Sequence, residues 1–195
     1  MKPIVREEIL DLTAYERIRP EMRRAAIAER QKRRVLVGDK MSLVFENRET
    51  VRYQIQEMIR AERIVEAAAV DHEIETYNEL LPRPNQLAAT LFIEADPDTI
   101  REDVDLFLGL DRGEHVWFDL EEGMRILASF APGQSEEGKI SSVQYIRFPF
   151  SPEQKESFAA GQNPVGLVVD HPNYQARTVL DPALRRALAA DLGEE

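Results

Sequence analysis

The sequence predicts an α+β fold, with helices first and then a largely antiparallel sheet with short covering helices. Three observations carry that expectation. Apolar residues recur at helical spacing in the first part of the chain, the period switches to two from Leu87 onward, and no internal repeat or low-complexity linker interrupts the 195 residues. One domain is therefore expected over 1–195, helical over about 1–82 and sheet-rich over about 83–195.

Each element has its own local reason. Thr13-Ala14-Tyr15-Glu16 has the capping-box pattern, in which the Thr hydroxyl accepts from the Glu16 amide and the Glu side chain returns to the cap, so the first helix is expected to start there. Pro20 is expected to restart it at a first-turn position ahead of residues 21–33. Residues 34–37 and 41–45 are β-rich runs flanking Gly38-Asp39-Lys40 and read as a hairpin. Glu46-Asn47 then terminates a strand and caps a helix. Val51, Ile55, Met58 and Ile59 share one helical face and predict a second helix over about 49–64. Val70, Ile74, Tyr77 and Leu81 predict a third, which stops before Pro82 and Pro84.

Leu87, Ala89, Leu91 and Ile93 alternate as a strand. Asp96-Pro97 reads as the cap of a short helix with Ile100, Val104, Phe107 and Leu108 on one stripe, ended by residues 109–113. Residues 115–120 and 124–131, joined by Glu121-Glu122-Gly123, read as a second hairpin, followed by a polar loop over 132–139 and a strand over 140–150. Ser151-Pro152-Glu153-Gln154 is a further cap with Pro at the first helical position. Residues 165–169 and 174–180 read as strands around Asp170-His171-Pro172-Asn173, and Asp181-Pro182 starts a terminal helix through Leu184 and Leu188.

Composition narrows the function. The absence of cysteine excludes disulfides, thiolate metal sites, iron–sulfur clusters and cysteine nucleophiles, and suits a reducing cytoplasm. The charged first residues predict no secretory signal, and no uncharged run is long enough to span a bilayer. The net charge of -11 is unevenly spread. Residues 1–40 hold 11 basic and 7 acidic side chains, whereas the other 155 hold 14 basic and 29 acidic. Such a molecule repels phosphate over most of its surface, so nucleic acid and membrane are disfavoured as partners and a protein contact is expected at the basic helix, through Arg23, Arg24, Arg30, Lys32, Arg33 and Arg34.

Two clusters have residue types suited to chemistry. On the second helix Glu49, Tyr53, Glu57 and Arg60 form a polar stripe opposite the apolar face, usable as an acid/base or anion site and equally at home on a salt-bridged helix. Asp170, His171 and Tyr174 place an imidazole between a carboxylate and a phenol, although Asp, Pro and Asn are also the makings of a tight turn. If the protein is an enzyme, Glu57, Arg60, Asp170, His171 and Tyr174 are the candidates, and Glu57, Arg60 and His171 have to meet in one pocket. Phosphate-loop, dinucleotide and nucleophile-elbow motifs are missing, and no cofactor is expected. No histidine has a Glu three residues before it, as helical di-iron sites require, and the remaining metal candidates are the weak pair His72 and Glu75.

The run from Phe45 to Glu62, Tyr77-Asn78 ahead of Leu81-Pro82, and Val168-Val169-Asp170-His171-Pro172-Asn173-Tyr174 resemble the uncharacterised bacterial family catalogued as domain of unknown function 3501, over nearly the whole chain. The resemblance implies a setting in redox or oxidative-stress metabolism, with a rubrerythrin or an iron–sulfur oxidoreductase as protein partner, and implies no catalytic residues. The resulting expectation is a cytoplasmic accessory or interaction protein, non-enzymatic and capable of forming a homo-oligomer. The alternatives are a small-molecule enzyme with a carboxylate/His site and a nucleic-acid-binding regulator.

Overall fold

Helix α1 (Leu12–Lys32) opens the fold and is held at its start by Asp11, whose Oδ1 accepts from the Ala14 amide at 2.8 Å. The expected Thr13 cap is thus replaced by a carboxylate two residues earlier, a charged acceptor for the same free amides. Pro20 neither breaks nor restarts the helix. It is exposed, as is Glu16 one turn before it, so the carbonyl that loses its partner faces water. A computed structural model of the chain describes residues 1–96, 98–120, 123–136, 138–161 and 163–193. Pro97 of the predicted cap and Glu121-Glu122 of the predicted hairpin turn lie outside the described residues.

Strands β1 (Arg34–Val37) and β2 (Met41–Phe45) form the expected antiparallel hairpin. Helix α2 (Arg48–Ala61) follows, capped by Asn47, whose Oδ1 accepts from the Thr50 amide at 2.9 Å while its own amide donates to Thr50 Oγ1 at 3.0 Å. It runs antiparallel to α1, because Asn47 donates to Glu29 near the end of α1 and Glu57 accepts from Tyr15 and Arg19 near its start. Helix α3 (Ala67–Asn78) completes the helical layer. Ile4, Val51, Ile55, Ile59, Val70, Ile74 and Leu81 form a small core of their own, and Asn78 clamps the N-terminal segment by bonding both the amide and the carbonyl of Ile4.

The rest of the chain supplies β3 (Gln86–Ile93), α4 (Ile100–Asp105), β4 (Val116–Asp119), β5 (Arg125–Leu127), β6 (Ser129–Phe130), β7 (Ser135–Glu136), β8 (Lys139–Ile140), β9 (Val143–Pro149), α5 (Pro152–Ala160), β10 (Gly166–His171), β11 (Tyr174–Val179) and α6 (Pro182–Gly193). Two antiparallel sheets result, in the orders β1-β2-β3-β9-β6 and β11-β10-β4-β5, with β7-β8 a separate two-stranded ribbon inside the predicted polar loop. The predicted strand over 124–131 divides: β5 pairs with β4, while β6 crosses to β9 in the other sheet. The chain thereby closes one margin between the sheets. At the other margin Tyr174 and Thr178 hydroxyls donate to the carbonyls of Val37 and Leu36 at 2.7 Å each.

The side chains that the two sheets turn toward each other form one shared inner face. Phe45 stacks on Phe118 at 5.8 Å, and Phe118 lies 4.5 Å from Phe148. Phe158 of α5 and Leu184, Leu188 and Leu192 of α6 complete the same core. The outer face of the five-stranded sheet is different. There Thr90 is buried, Tyr145 is 37% exposed and Arg147 is half-buried, and the N-terminus of α2 and the end of α3 overhang them. Among the described residues no helix is long and apolar enough to cross a membrane.

Candidate functional site

The predicted stripe on α2 proves to be a helix-to-helix clamp. Glu57 accepts from Arg19 Nε at 2.7 Å, from Arg19 Nη2 at 2.9 Å and from the fully buried Tyr15 hydroxyl at 2.5 Å, with Arg60 3.5 Å away. Chiefly the Arg19 bonds hold its carboxyl down at about 2, against some desolvation. Burial, then the bond to Glu57, pushes the Tyr15 phenol up. Arg60 also lies 3.7 Å from Glu16, Glu49 pairs with Arg52 at 2.7 Å, and Tyr53 is half-buried beside them. Glu57 is thus neutralised by Arg19 and ties α1 to α2.

Asp170, His171 and Tyr174 form the tight turn. Strand alternation sends Asp170 outward, where it accepts from Gln175 Nε2 at 2.8 Å, so it does not orient His171. His171 is buried. Its Nδ1 accepts from the Asn173 amide at 3.3 Å and its Nε2 donates to the Leu108 carbonyl at 3.2 Å, which defines a neutral imidazole. Burial foremost lowers its pKa. The Tyr174 hydroxyl donates to Val37 and accepts from the Lys40 amide at 3.1 Å, fixing the β1–β2 turn. Gly38 is needed there twice over: its φ is +69°, and a Cβ would fall 2.0 Å from that hydroxyl.

The two clusters do not meet. Arg33 is bonded to Phe45 at the base of the hairpin, and about 21 Å of helix separates Arg33 from Arg19. Tyr174 holds the opposite, turn end of that hairpin. The single pocket required of Glu57, Arg60 and His171 is not formed.

Of the basic set, Arg23, Arg24 and Lys32 are exposed. Arg30 lies 6.0 Å from the Phe92 ring, Arg34 is paired with Glu94, and Arg33 is buried, donating to the Phe45 carbonyl at 2.8 Å and pairing with Asp191. Arg33 therefore joins α1 to the sheet and α6 instead of facing a partner. His72 and Glu75 are both exposed on α3. Among the described residues no group of three or more His, Asp or Glu side chains is placed to hold a metal ion.

The residue that sequence reasoning passed over is Glu46. It is 1% exposed. Its Oε1 accepts from the Thr90 hydroxyl at 2.6 Å, and its Oε2 accepts from the Thr50 hydroxyl and from Gln54 Nε2 at 3.0 Å. All three donors are neutral. Carboxylates buried this deeply are ordinarily paired with a cation, and a carboxylate has room for about four donors. Glu46 lies at the floor of a cavity of about 430 Å³, with Tyr145, Arg147, Arg83 and Ser129 among its other walls. The Tyr145 hydroxyl has no hydrogen-bond partner among the described residues, and burial, then the Glu46 charge, raises its pKa. Arg147 donates to the carbonyls of Leu81, at 3.1 Å, and Glu79. Its pKa is lowered first by burial and then by the nearby charge of Arg83, against a smaller opposing effect of Glu79. A roomier hollow of about 800 Å³ lies between the N-terminal segment, α2 and α3, but its charged groups are already used: Arg6 pairs with Asp71 and Asp11 caps α1.

The signal was present in the spacing. Glu46, Thr50 and Gln54 recur every four residues, and Tyr145 and Arg147 alternate on one strand face.

Fold and site together define a two-sheet antiparallel α+β protein with a polar, carboxylate-floored cavity on the outer face of one sheet. The chain belongs to the family described as protein of unknown function (DUF3501), whose model matches residues 3–192. It is similar to a crystal structure of a novel protein of unknown function from Burkholderia pseudomallei, with 29% identity, a TM-score of 0.89, and coverage of 98% of this chain and 100% of that one. No curated protein matches it.

Proposed function

We propose that this chain is a non-enzymatic accessory protein whose recognition element is the Glu46 cavity, which takes up a small polar molecule. One observation carries the reading: a carboxylate is withdrawn from water, held in one orientation by three neutral donors, and without an ion pair among the described residues, beside an open cavity. Removing a carboxylate from water is costly without a charged partner, and a bound ligand is one way to supply it. The side chains pre-set the acceptor geometry, so little ordering remains to oppose binding.

A cytoplasmic setting and service to a redox partner, a rubrerythrin or an iron–sulfur oxidoreductase, belong to the same proposal. The cysteine-free composition and the family resemblance support them. The exposed Arg23, Arg24 and Lys32 offer the basic contact for an acidic partner or a second copy. The enzyme and nucleic-acid readings gain no geometry of their own.

The test is saturation-transfer NMR with mixed metabolite-sized amines, carboxylates, zwitterions and neutral polyols, on the wild type and on Ser129→Trp. Ser129 is exposed and lines the cavity, so the indole narrows it without disturbing the core. Binding of at least one class that Ser129→Trp removes is expected. Binding of none, or binding that Ser129→Trp leaves intact, overturns the proposal.

A further inference from the structure

The cavity has charges of both signs at a measurable spacing. Thr90, which fixes the Glu46 carboxylate, is the direct neighbour of Tyr145 across the β3–β9 pair, and Ala88 is the neighbour of Arg147. The carboxylate therefore sits over the Thr90–Tyr145 rung and Arg147 rises from the next rung on the same face. Two residues along a strand and one step across the sheet separate the backbone positions of Thr90 and Arg147 by roughly 8–9 Å. Arg147 and the exposed Arg83 make no ion pair among the described residues, and Arg147 leaves donors over after bonding two carbonyls. At the other end Glu46 has three donors where about four fit.

Resting on the cavity reading above, the geometry points to a small zwitterion as the ligand class: an ammonium end completes the Glu46 donor set while a carboxylate end faces Arg83 and Arg147. A lone anion meets Glu46 as a like charge inside a desolvated cavity, and a lone cation meets the two arginines in the same way. Only a molecule with both ends, spaced by a short linker, relieves both. Tyr145, whose hydroxyl has no partner among the described residues, lies on the same rung as Thr90 and is placed to donate to the ligand at the Glu46 end.

The experiment is isothermal titration calorimetry with a ruler series, glycine, β-alanine, 4-aminobutyrate, 5-aminopentanoate and 6-aminohexanoate, against butylamine and butyrate. A member of the longer half of the series is expected to bind about tenfold or more tightly than either single-charge probe. Glu46→Gln should weaken that member and tighten butyrate, so that the two converge. Arg83→Ala, at an exposed position outside the core, should weaken the zwitterion and butyrate together and, if anything, tighten butylamine. The ligand class is overturned if butylamine or butyrate binds as tightly as every zwitterion, or if Glu46→Gln leaves the zwitterion untouched. Should only a single-charge or neutral probe bind, and bind in a Ser129→Trp-sensitive way, the zwitterion assignment falls and the cavity reading stands. Should no probe of any class bind, both fall.

Discussion

Glu46 just ahead of α2 and Glu57 within it have opposite surroundings. Glu57 is partly exposed and has a guanidinium on two of its contacts and a phenol on a third. Glu46 is almost fully buried, and among the described residues its carboxylate accepts only from hydroxyl and amide donors, the Arg33 guanidinium reaching its backbone carbonyl instead. The difference teaches how to separate a structural carboxylate from a functional one. Where an arginine of the same chain has already neutralised the charge, the interaction is complete and its output is stability. Where the fold positions a charge without neutralising it, and leaves space in front of it, the output is recognition.

The largest expected effect breaks the structural half of the comparison. Glu57→Gln removes charge-assisted bonds to Arg19 and Tyr15 and should cost about 2 kcal/mol, lowering the melting temperature by about 4–8 °C, with ligand binding at the Glu46 cavity unchanged. Acid titration sharpens the point. The folded carboxyl of Glu57 lies at about 2 against an ordinary 4.5, so its stabilisation is complete above the ordinary value and is lost as pH falls toward 2. That displacement corresponds to at most about 3 kcal/mol. Denaturation of the wild type and Glu57→Gln at several pH values should therefore show the two converging below pH 4.5.

Glu46→Gln should cost less, about 1 kcal/mol, because the amide keeps the volume and the Thr50 and Thr90 hydroxyls can turn to suit it. A chemical-denaturation midpoint checks this against Glu57→Gln; a larger loss for Glu46→Gln would make Glu46 the structural residue. Tyr174→Phe should cost a similar amount, since it frees the Val37 carbonyl and the Lys40 amide at the turn. His171 gives a weaker effect in a separate window. Its folded pKa is below the ordinary 6.5, so the unfolded chain protonates first and stability declines as pH drops through that value. An imidazole NMR resonance titrating at or above 6.5 would contradict the burial argument.

The fold was legible wherever a residue's role depended on local spacing. Asn47 and Ser151 cap the helices that their sequence positions announce, and the Gly38 and Pro172-Asn173 turns join strands as expected. It was less legible where a competing local solution existed, as with Asp11 over Thr13, or where solvent exposure relaxed a rule, as with Pro20. The sheet switch at Ala128 depends on which strand arrives beside β6, a matter of long-range pairing that no local pattern contains. The site was harder still. The stripe of Glu49, Tyr53, Glu57 and Arg60 stood out because three of its four residues are charged, whereas Glu46, Thr50 and Gln54 lie on the adjacent stripe with two neutral members. Their meaning depends on Thr90 arriving from β3, more than forty residues later in the sequence.

The most direct test sets the two carboxylates side by side: calorimetric titration of 5-aminopentanoate into the wild type, Glu46→Gln and Glu57→Gln, with a melting curve for each. The account predicts that Glu46→Gln loses binding while melting near the wild type, and that Glu57→Gln keeps binding while melting several degrees lower. Binding retained by Glu46→Gln and lost by Glu57→Gln, with both variants folded, would contradict it.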